Sequence, residues 1–412
     1  MKYIKTQYSM SKLLFLFAVL SVTAAFISCS EEGAGGPPSI TRVRPMNAQI
    51  ADSSFVTALP GQLIVVEGIN LSDVQEVYFN DYPATFNPAY NTATHLVVQI
   101  PMNTPTPDRD PAVSGILRVV TKHGSVDYQF AVNPPAPSLS YIYNENTQPG
   151  EIMEIHGQFL LSVNEVVFPG GVVGTDIQSN DAGTLLRVKV PEEVTETGNL
   201  TLRSPYGATT TNFLVNNTKG PGVFANFNDS SEPEYGWERW NESWDRMRLD
   251  DATLYPHNNG YYLRVTMTNI TAWDFGWWNP VRNIAVNNYG KTVVQAANLG
   301  DPIDSYYLKF EINTRIPIRE GAVFLIGFKS ETINYEMHPY ALVQNGVFDT
   351  ENKWMTLTVP LHEFKEETIG ALLESYGAIG RFHIGFISGA QPIPEFDAAF
   401  DNFRIERVVT VQ

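Results

Sequence analysis

Cysteine is almost absent from the sequence, with Cys29 the only one among 412 residues. No disulfide can form within the chain, so its stability has to come from packed apolar cores. Long apolar runs are absent beyond the first 28 residues. No later stretch approaches the roughly 20 uncharged residues of a membrane-spanning helix, so we expect soluble domains beyond that point.

Positive charge is scarce, since 27 Lys and Arg residues stand against 44 Asp and Glu and the formal net charge is −17. Because DNA and RNA binding depends on cations that neutralise phosphates, this balance argues against a nucleic-acid partner. The same sign disfavours sulfated and other highly anionic polysaccharides. Neutral ligands fit the composition best.

Catalytic motifs are also missing, since the sequence has no Ser-centred nucleophile elbow, no His-Glu-x-x-His and no Gly-rich phosphate loop. Candidates for a glycosidase carboxylate pair are Glu331, Glu336, Asp397 and Asp401. None lies in a catalytic motif, so we predict that the protein is not an enzyme and has no cofactor. A structural calcium remains an unassigned alternative, because the pattern of its oxygen donors is too loose. Those donors would be Asn228, Asp229 or Asp401.

The chain begins like a secretory signal peptide, with lysines and no acid in its first 12 residues and then an apolar run from Leu13 to Leu20. The residues Phe26-Ile27-Ser28 before Cys29 follow the pattern apolar-x-small-Cys, which resembles a bacterial lipobox. That resemblance implies cleavage after residue 28 and acylation of Cys29, several acyl chains giving firm membrane attachment.

A short tether follows the expected lipid, covering residues 29–38 and rich in Gly and Pro. Its acidic pair Glu31-Glu32 resembles the surface-export signal of Bacteroidota lipoproteins. We therefore expect the protein on the outer membrane, lipid-anchored and facing outward from the cell.

The strongest internal pattern is a repeat. Five features recur at an offset of 89 residues and four more at an offset of 83, which indicates a loop deletion of six residues between two copies. The pairs are Pro60-Gly61 with Pro149-Gly150, Gly68 with Gly157, Leu71 with Leu160, Val77 with Val166, Phe79 with Phe168, Gly115 with Gly198, Gly124 with Gly207, Phe130 with Phe213 and Val132 with Val215.

Each copy reads as short alternating strands between turns, which predicts two small β-sandwiches over residues 39–134 and 135–217. The order "Pro-Gly, strand, Gly-x-x-Leu, Val-x-Phe" resembles the immunoglobulin-like IPT/TIG fold. Neither copy contains a Trp or a metal-ligand spacing. We interpret both as spacers, with docking of a protein partner as the alternative.

A third domain is predicted over residues 218–412, where the composition changes and all seven tryptophans lie. Long strands in this segment indicate a C-terminal jelly-roll sandwich in an all-β chain. The predicted strands are 261–267, 306–312, 322–328, 354–359, 382–387 and 400–406, and the single predicted helix is 366–376. Trp354 begins an alternating run and is expected in the core. Tyr335 and His338 could line a groove, although we favour a simple hydrogen-bonding role for His338.

Two tryptophan clusters are the candidate binding residues. They lie in polar segments with Gly or Pro that read as loops or strand ends, where indole rings need a surface role. A flat indole can stack on the apolar face of a pyranose ring while polar groups reach its hydroxyls. The clusters are Trp237, Trp240 and Trp244, and Trp273, Trp277 and Trp278.

These features together resemble the surface glycan-binding proteins of Bacteroidota polysaccharide-utilisation loci, the SGBP-B-like type with tandem IPT/TIG domains. The resemblance rests on the lipobox, the repeated modules and a terminal sandwich that opens with Phe224-Ala-Asn-Phe-Asn-Asp229 and closes with Phe400-Asp-Asn-Phe-Arg-Ile405. It implies non-catalytic capture of a neutral polysaccharide, such as the β-glucans xyloglucan or mixed-linkage glucan.

The resemblance also implies delivery of the glycan to an outer-membrane importer and its lid lipoprotein. By position, the stacking residues implied are Trp244, Trp277 and Trp278, with Trp240 and Trp273 beside them. The alternative hypothesis is a structural or adhesive surface lipoprotein whose aromatic residues bind a protein.

Overall fold

The computed structural model of the protein describes residues 35–50, 52–228, 248–257, 260–276, 282–287, 293–328, 334–373 and 381–407. The chain divides into two compact units, Met1–Pro135 and Ala136–Gln412. Among the described residues, none of the helices has the length and apolar character that crossing a bilayer requires.

The first unit is a small antiparallel sandwich. One sheet has the order β1-β3-β7-β6 and faces a second of order β5-β4-β8-β9, while β10 pairs with β2. Alternate residues of β3 and β7 face inward to meet Phe79, Leu117 and Phe130 in one core. The strands are β1 (Ser39–Pro45), β2 (Thr57–Ala58), β3 (Leu63–Ile69), β4 (Val74–Phe79), β5 (Tyr82–Ala84), β6 (Phe86–Asn91), β7 (His95–Gln99), β8 (Ile116–Thr121), β9 (Gly124–Gln129) and β10 (Ala131–Val132).

A second small sandwich begins the second unit, with one sheet of order β11-β12-β15-β14 and another of order β13-β16-β17. Its core contains Phe168, Leu186 and Leu202. Its strands are β11 (Ser138–Ile142), β12 (Ile152–Gln158), β13 (Glu165–Val167), β14 (Thr175–Ser179), β15 (Leu185–Lys189), β16 (Thr201–Ser204) and β17 (Gly207–Thr210).

The repeated glycines have the same structural reason in both copies. A Cβ on Gly68 would clash with the carbonyl oxygen of Ser39, and a Cβ on Gly157 would clash with that of Ser138, because each glycine lies where the first strand of its sandwich crosses closely. A side chain would push those two strands apart, so only glycine fits.

The C-terminal part of the second unit is a larger antiparallel sandwich. One sheet has the order β19-β20-β27-β22-β25, with β18 also paired to β27, and the other has the order β21-β26-β23-β24. The strands are β18 (Val223–Ala225), β19 (Arg248–Leu249), β20 (Tyr262–Ile270), β21 (Asn283–Asn287), β22 (Tyr306–Thr314), β23 (Ala322–Phe328), β24 (Asn334–Met337), β25 (Met355–Pro360), β26 (Arg381–Ser388) and β27 (Ile393–Arg407).

Phenylalanine rings fill the space between the two sheets of this larger sandwich. Phe324 lies 5.1 Å from Phe386 and 5.6 Å from Phe400 between ring centroids, and Phe310 stacks on Phe403 at 5.1 Å. Such edge and offset contacts add to the burial of the rings. The all-β class with two immunoglobulin-like sandwiches and a larger C-terminal sandwich, predicted from the sequence, is therefore confirmed.

Helical structure is limited to short segments in the described residues. The helix predicted over 366–376 is an α-helix, α1 (Ile369–Leu373), and residues 374–380 lie outside the described residues. The 3₁₀ turns are Ala48–Ile50, Leu160–Ser162, Pro169–Gly171, Ala296–Asn298, Ile303–Ser305, Pro339–Leu342 and Leu361–Phe364.

The last strand is longer than the sequence predicts, since β27 begins at Ile393 rather than at Phe400. Residues 394–397 include Pro394, Glu395 and Asp397, which are uncommon in strand interiors. The structure tolerates Asp397 there because Arg264 binds its carboxylate through two hydrogen bonds of 2.8 and 2.7 Å. The alternation of polar and apolar residues does not predict a strand here, because Arg264, the cation that compensates Asp397, lies on another strand.

The second sandwich is joined to the larger one by a buried ionic cluster, here called the Arg404 cluster, of Glu145, Lys309, Glu311, Arg404 and Glu406. Glu145, in the second sandwich, accepts hydrogen bonds of 2.7 Å from Lys309 Nζ and 2.7 Å from Arg404 Nη2. Arg404 also donates to both oxygens of Glu311, at 2.9 and 3.0 Å, and to Glu406 at 3.1 Å. Lys309 lies 3.2 Å from Glu406. All five side chains are at most 6% exposed.

The cluster holds three carboxylates and two cations, so its charges do not cancel. Burial raises the pKa of Glu145, because desolvation outweighs the attraction of Lys309 and Arg404. Burial acts in the same direction on Glu406, but the two cations outweigh it and lower its pKa. The two buried carboxylates therefore depend on both cations, Lys309 and Arg404, remaining in place.

Amide side chains complete the joint. Asn146 Nδ2 donates to Glu311 at 2.9 Å, and Asn217 Nδ2 donates to Glu406 at 3.0 Å. The backbone joins as well, since Thr356 N–H donates to Tyr143 O at 2.9 Å. These contacts give the two sandwiches a shared polar interior, while the predicted boundary at 217/218 stays a prediction.

Replacing Arg404 with Leu removes the cation that three buried carboxylates share. We expect the free energy of unfolding to fall by about 3–5 kcal/mol, because breaking a buried ion pair leaves uncompensated charge. Urea denaturation of the full chain, followed by circular dichroism, measures this. The matched control is Arg187→Leu, whose 2.9 Å ion pair with Glu154 is largely exposed, and which should cost at most about 1 kcal/mol. Equal losses in the two variants would contradict a special role for the cluster.

Candidate functional site

Exposed aromatic rings of the larger sandwich gather in the loop that follows β20, residues 271–276. Trp273 is 64% exposed and Phe275 is 45% exposed. Both belong to the segment Trp273-Asp-Phe-Gly-Trp-Trp278, whose last two residues lie outside the described residues. Residues 271–276 are here called the aromatic loop, and their two rings offer apolar surface to solvent at one end of the sandwich.

Hydrogen bonds fasten the aromatic loop to the end of β26. Trp273 N–H donates to Gly389 O at 2.9 Å, and Asp274 N–H donates to the Ser388 hydroxyl at 2.7 Å. Ser388 returns a backbone N–H bond to Asp274 O at 3.1 Å, and its hydroxyl donates to Thr271 O at 2.6 Å. The loop therefore continues the sheet edge instead of standing free in solvent.

Arg282 anchors the same loop from inside. Its guanidinium is 4% exposed and donates to Phe386 O at 3.1 Å and to Asp274 O at 3.0 Å. Its third contact is an ion pair of 3.1 Å with the Asp274 carboxylate. Gly276, which has φ +56°, is required beside it because a Cβ would clash with the guanidinium.

Trp273 itself has φ +60°, in the left-handed region that bulky residues rarely adopt. Such a backbone costs on the order of 1–3 kcal/mol and persists where surrounding contacts fix it. Here those contacts are the bonds to Gly389 and Ser388. The indole is thus presented to solvent on a rigid support.

Of the predicted stacking residues, Trp273 alone lies within the described part of the chain. Trp240, Trp244, Trp277 and Trp278, together with Trp237, lie outside the described residues, as do Cys29 and Asp229. Their assignment as binding or lipidated residues stays a prediction. Trp354 is in the interior as expected, 4% exposed and packed 6.1 Å from Tyr255 and 5.7 Å from Tyr262 between ring centroids.

Other aromatic residues divide between core and surface. Tyr335 is partly buried and packs against the core, with 6.0 Å between its ring centroid and that of Phe364. His338 contacts Tyr340, with 3.4 Å between its Nδ1 and the phenol oxygen, in the hydrogen-bonding role that we favoured.

Tyr261 was not singled out from the sequence, because one tyrosine before a strand gives no signal. It is 37% exposed with the Arg248 guanidinium 3.7 Å above its ring, but it lies at the opposite end of β20 from Trp273.

The carboxylates considered for catalysis do not form an open pair in the described residues. Asp397 accepts hydrogen bonds from Arg264, from Arg315 at 3.3 Å and from Tyr255 at 2.5 Å. Burial acts to raise its pKa, but the bonds from Arg264 and Tyr255 outweigh burial and lower it. Asp397 is therefore a fixed structural anion.

Of the other candidates, Glu336 is exposed on β24. Asp401 is 1% exposed, so a substrate cannot reach it, and Glu331 lies outside the described residues. Among the described residues, His, Cys, Asp and Glu form no group of three that could hold a metal ion.

Comparison with known proteins places the larger sandwich in a family. Residues 216–407 match the model of the surface glycan-binding protein B xyloglucan binding domain. The matched residues span the larger sandwich. The family assignment made from the sequence is confirmed, and it gives the aromatic loop the context of a glycan-binding domain.

One relative and two solved structures are also similar to the chain. An IPT/TIG domain-containing protein of Bacteroides ovatus is 28% identical over 220 residues, which are 50% of this chain and 45% of the relative. The chain thus spans less than half the length of that relative.

Two solved structures share the fold at 20% identity. The surface glycan-binding protein PbSGBP-B from Prevotella bryantii superposes with a TM-score of 0.68 over 91% of this chain and 99% of its own. An SGBP-B from a complex xyloglucan utilization locus in Bacteroides uniformis gives a TM-score of 0.53 over 90% of this chain and 99% of its own.

Replacing Asp274 with Ala should loosen the aromatic loop, because it removes the acceptor of Gly276 N–H and leaves Arg282 without its carboxylate. We expect faster hydrogen exchange at the amides of Trp273 and Gly276, measured by NMR or mass spectrometry. Asp274→Asn, which keeps an acceptor oxygen but no charge, should give an intermediate rate. Unchanged exchange in Asp274→Ala would contradict the anchoring role.

Proposed function

We propose that the protein is a non-catalytic cell-surface receptor that binds a neutral polysaccharide by aromatic stacking. The observation that carries this proposal is the match of residues 216–407 to a xyloglucan-binding domain family. The exposed indole of Trp273 on its fixed loop supports it, because a rigid aromatic plane suits the apolar face of a sugar ring. The net charge of −17 favours a neutral glycan over an anionic one.

The ligand we propose is a β-glucan such as xyloglucan or mixed-linkage glucan. Trp244, Trp277 and Trp278 are its stacking residues, with Trp240 and Trp273 beside them. Trp273 and Trp277 are four positions apart on one segment, which allows both rings to contact one extended chain. The engaged carboxylate of Asp397 supports binding without hydrolysis, because it has no free oxygen for acid–base chemistry.

The proposal places the protein on the outer membrane through acylated Cys29, with Glu31-Glu32 directing it to the cell surface. The tether of residues 29–38 can span at most about 3.3–3.6 Å per residue, so the first sandwich stays close to the membrane. From there the protein passes its glycan to an importer and that importer's lid lipoprotein.

Glycan binding is tested by affinity electrophoresis of the mature chain in gels that contain xyloglucan, mixed-linkage glucan, mannan or xylan. We expect retardation by a β-glucan, and loss of most retardation in Trp277→Ala and Trp244→Ala, because each ring contributes about 1 kcal/mol or more of stacking. Trp273→Ala should weaken binding less. Leu342→Ala, an exposed apolar side chain on another loop, is the control and should migrate like the wild type.

Failure of every neutral glycan to retard the wild-type chain would overturn the proposal. Co-purification of a membrane protein with the wild type, lost in the Trp variants, would then favour the adhesive alternative.

Anchoring is tested by Cys29→Ala, which should move the protein from the membrane fraction to the soluble fraction because no acyl chain can be attached. Mass spectrometry of the N-terminal peptide from the wild type should show the lipid. The matched variant Glu31→Ala with Glu32→Ala should stay in the membrane fraction but become resistant to protease added to intact cells. An unmodified Cys29 in the wild-type protein would rule out the anchor.

A further inference from the structure

Apart from the aromatic loop, a concave surface lies where the second sandwich meets the larger one. It is a cleft of about 540 Å³, within the range of roughly 300–1,000 Å³ that small-ligand sites occupy. One wall comes from residues 210–214 of the second sandwich, and the other from residues 293–298 and the end of β27. The aromatic loop follows β20 beyond Ile270, which pairs with Ile393 at the other end of β27. The cleft and the loop are therefore at opposite ends of one strand.

Uncharged polar side chains line this cleft. Asn212, Gln295 and Asn298 are among its lining residues, and within the described part of the chain their side-chain amides make no hydrogen bond. Leu214 and Val293 add apolar surface between them. Free amides beside small apolar patches match a ligand that carries hydroxyl groups around apolar C–H faces.

The charges near the cleft are already paired. Glu406 is held in the Arg404 cluster, and Arg407 lies 3.2 Å from Asp301. A charged ligand would have to compete with these pairs, whereas a neutral one would not. Together with the net charge of −17, this favours a neutral ligand.

The walls are fixed before any ligand arrives. Asn199 Nδ2 donates to Thr211 O at 2.8 Å and to Phe213 O at 3.0 Å, which sets the course of the upper wall. The Phe213 ring lies 4.3 Å from Lys309 Nζ, a member of the Arg404 cluster. Ile405 N–H donates to Gly222 O at 3.0 Å and fixes the floor. A cleft built in this way needs little ordering on binding.

We propose that this cleft is a second carbohydrate subsite, which takes a short stretch of a neutral glycan. The proposal rests on the proposed glycan-binding function and adds a contact remote from the aromatic loop. Sugar hydroxyls bond to Asn212, Gln295 and Asn298, while ring C–H groups contact Leu214 and Val293. A polymer long enough to reach both sites is retained more strongly than a short oligosaccharide, because the second contact is intramolecular.

The test compares long xyloglucan with a short xyloglucan oligosaccharide by isothermal titration of the full mature chain. Asn298→Trp fills the cleft, and Leu342→Trp, on an exposed turn that does not line the cleft, is the matched control. We expect Asn298→Trp to weaken polymer binding by about tenfold or more and to leave the oligosaccharide affinity of the aromatic site unchanged. Trp277→Ala with Trp278→Ala should leave a weak polymer affinity that Asn298→Trp then removes.

A second variant keeps the test decisive if Asn298→Trp does not fold, as judged by circular dichroism. Gln295→Ala with Asn298→Ala removes two amides without adding bulk and should weaken polymer binding in the same direction. If both cleft variants bind the polymer as tightly as Leu342→Trp does, the subsite is overturned. In that case, loss of polymer affinity in the Trp277→Ala, Trp278→Ala variant would still support the proposed function. Absence of any glycan binding by the wild type would overturn both.

Discussion

The Arg404 cluster is the constraint on which the arrangement of the second unit depends. A guanidinium that is fully buried has to be surrounded by acceptors, and Glu145 of the second sandwich supplies one of them. Hydrophobic packing alone would let two sandwiches slide over one another, because it has little directional preference. Charge-assisted bonds of 2.7 to 3.1 Å require one relative position. The cost of burying these five groups is offset by the hydrogen bonds and ion pairs that they make with one another.

This constraint assigns different tasks to the two sheets of the larger sandwich. The sheet that contains β22 and β27 directs its core-facing phenylalanines inward and uses its outer face, with Lys309, Glu311 and Arg404, to join the second sandwich. The sheet that contains β26 supports the aromatic loop through Ser388 and Arg282. The joint and the proposed ligand contact therefore occupy separate parts of one domain, and a change in loop sequence need not disturb the joint.

Much of the fold follows from local pattern. The continuous apolar run over 322–328 predicts β23 with the bounds that the structure has, and the recurrence of Gly68 as Gly157 reflects one steric rule applied in each copy. The joint could not be predicted in this way. Lys309, Glu311 and Arg404 alternate with core residues as solvent-facing polar residues do, so only the three-dimensional partner, Glu145, distinguishes them. Long-range ion pairs leave no trace in local spacing.

The candidate site shows the same division. Tryptophan clustering identified Trp273 as a surface residue, because several indoles in polar loop sequence need a surface role. The pattern did not single out Phe275, which stands in the same segment, and it contained no sign of Arg282, whose position depends on carbonyls of β26 and the loop.

The left-handed backbone of Trp273 has a kinetic consequence. Because the backbone that carries its ring is fixed before a ligand arrives, capture at the proposed site does not wait for the loop to become ordered, and a glycan can engage the indole on first encounter. Association rates should then vary little among glycans of similar size, and selectivity should reside in how long each one stays. A receptor of this kind samples many chains quickly and retains the few that make further contacts.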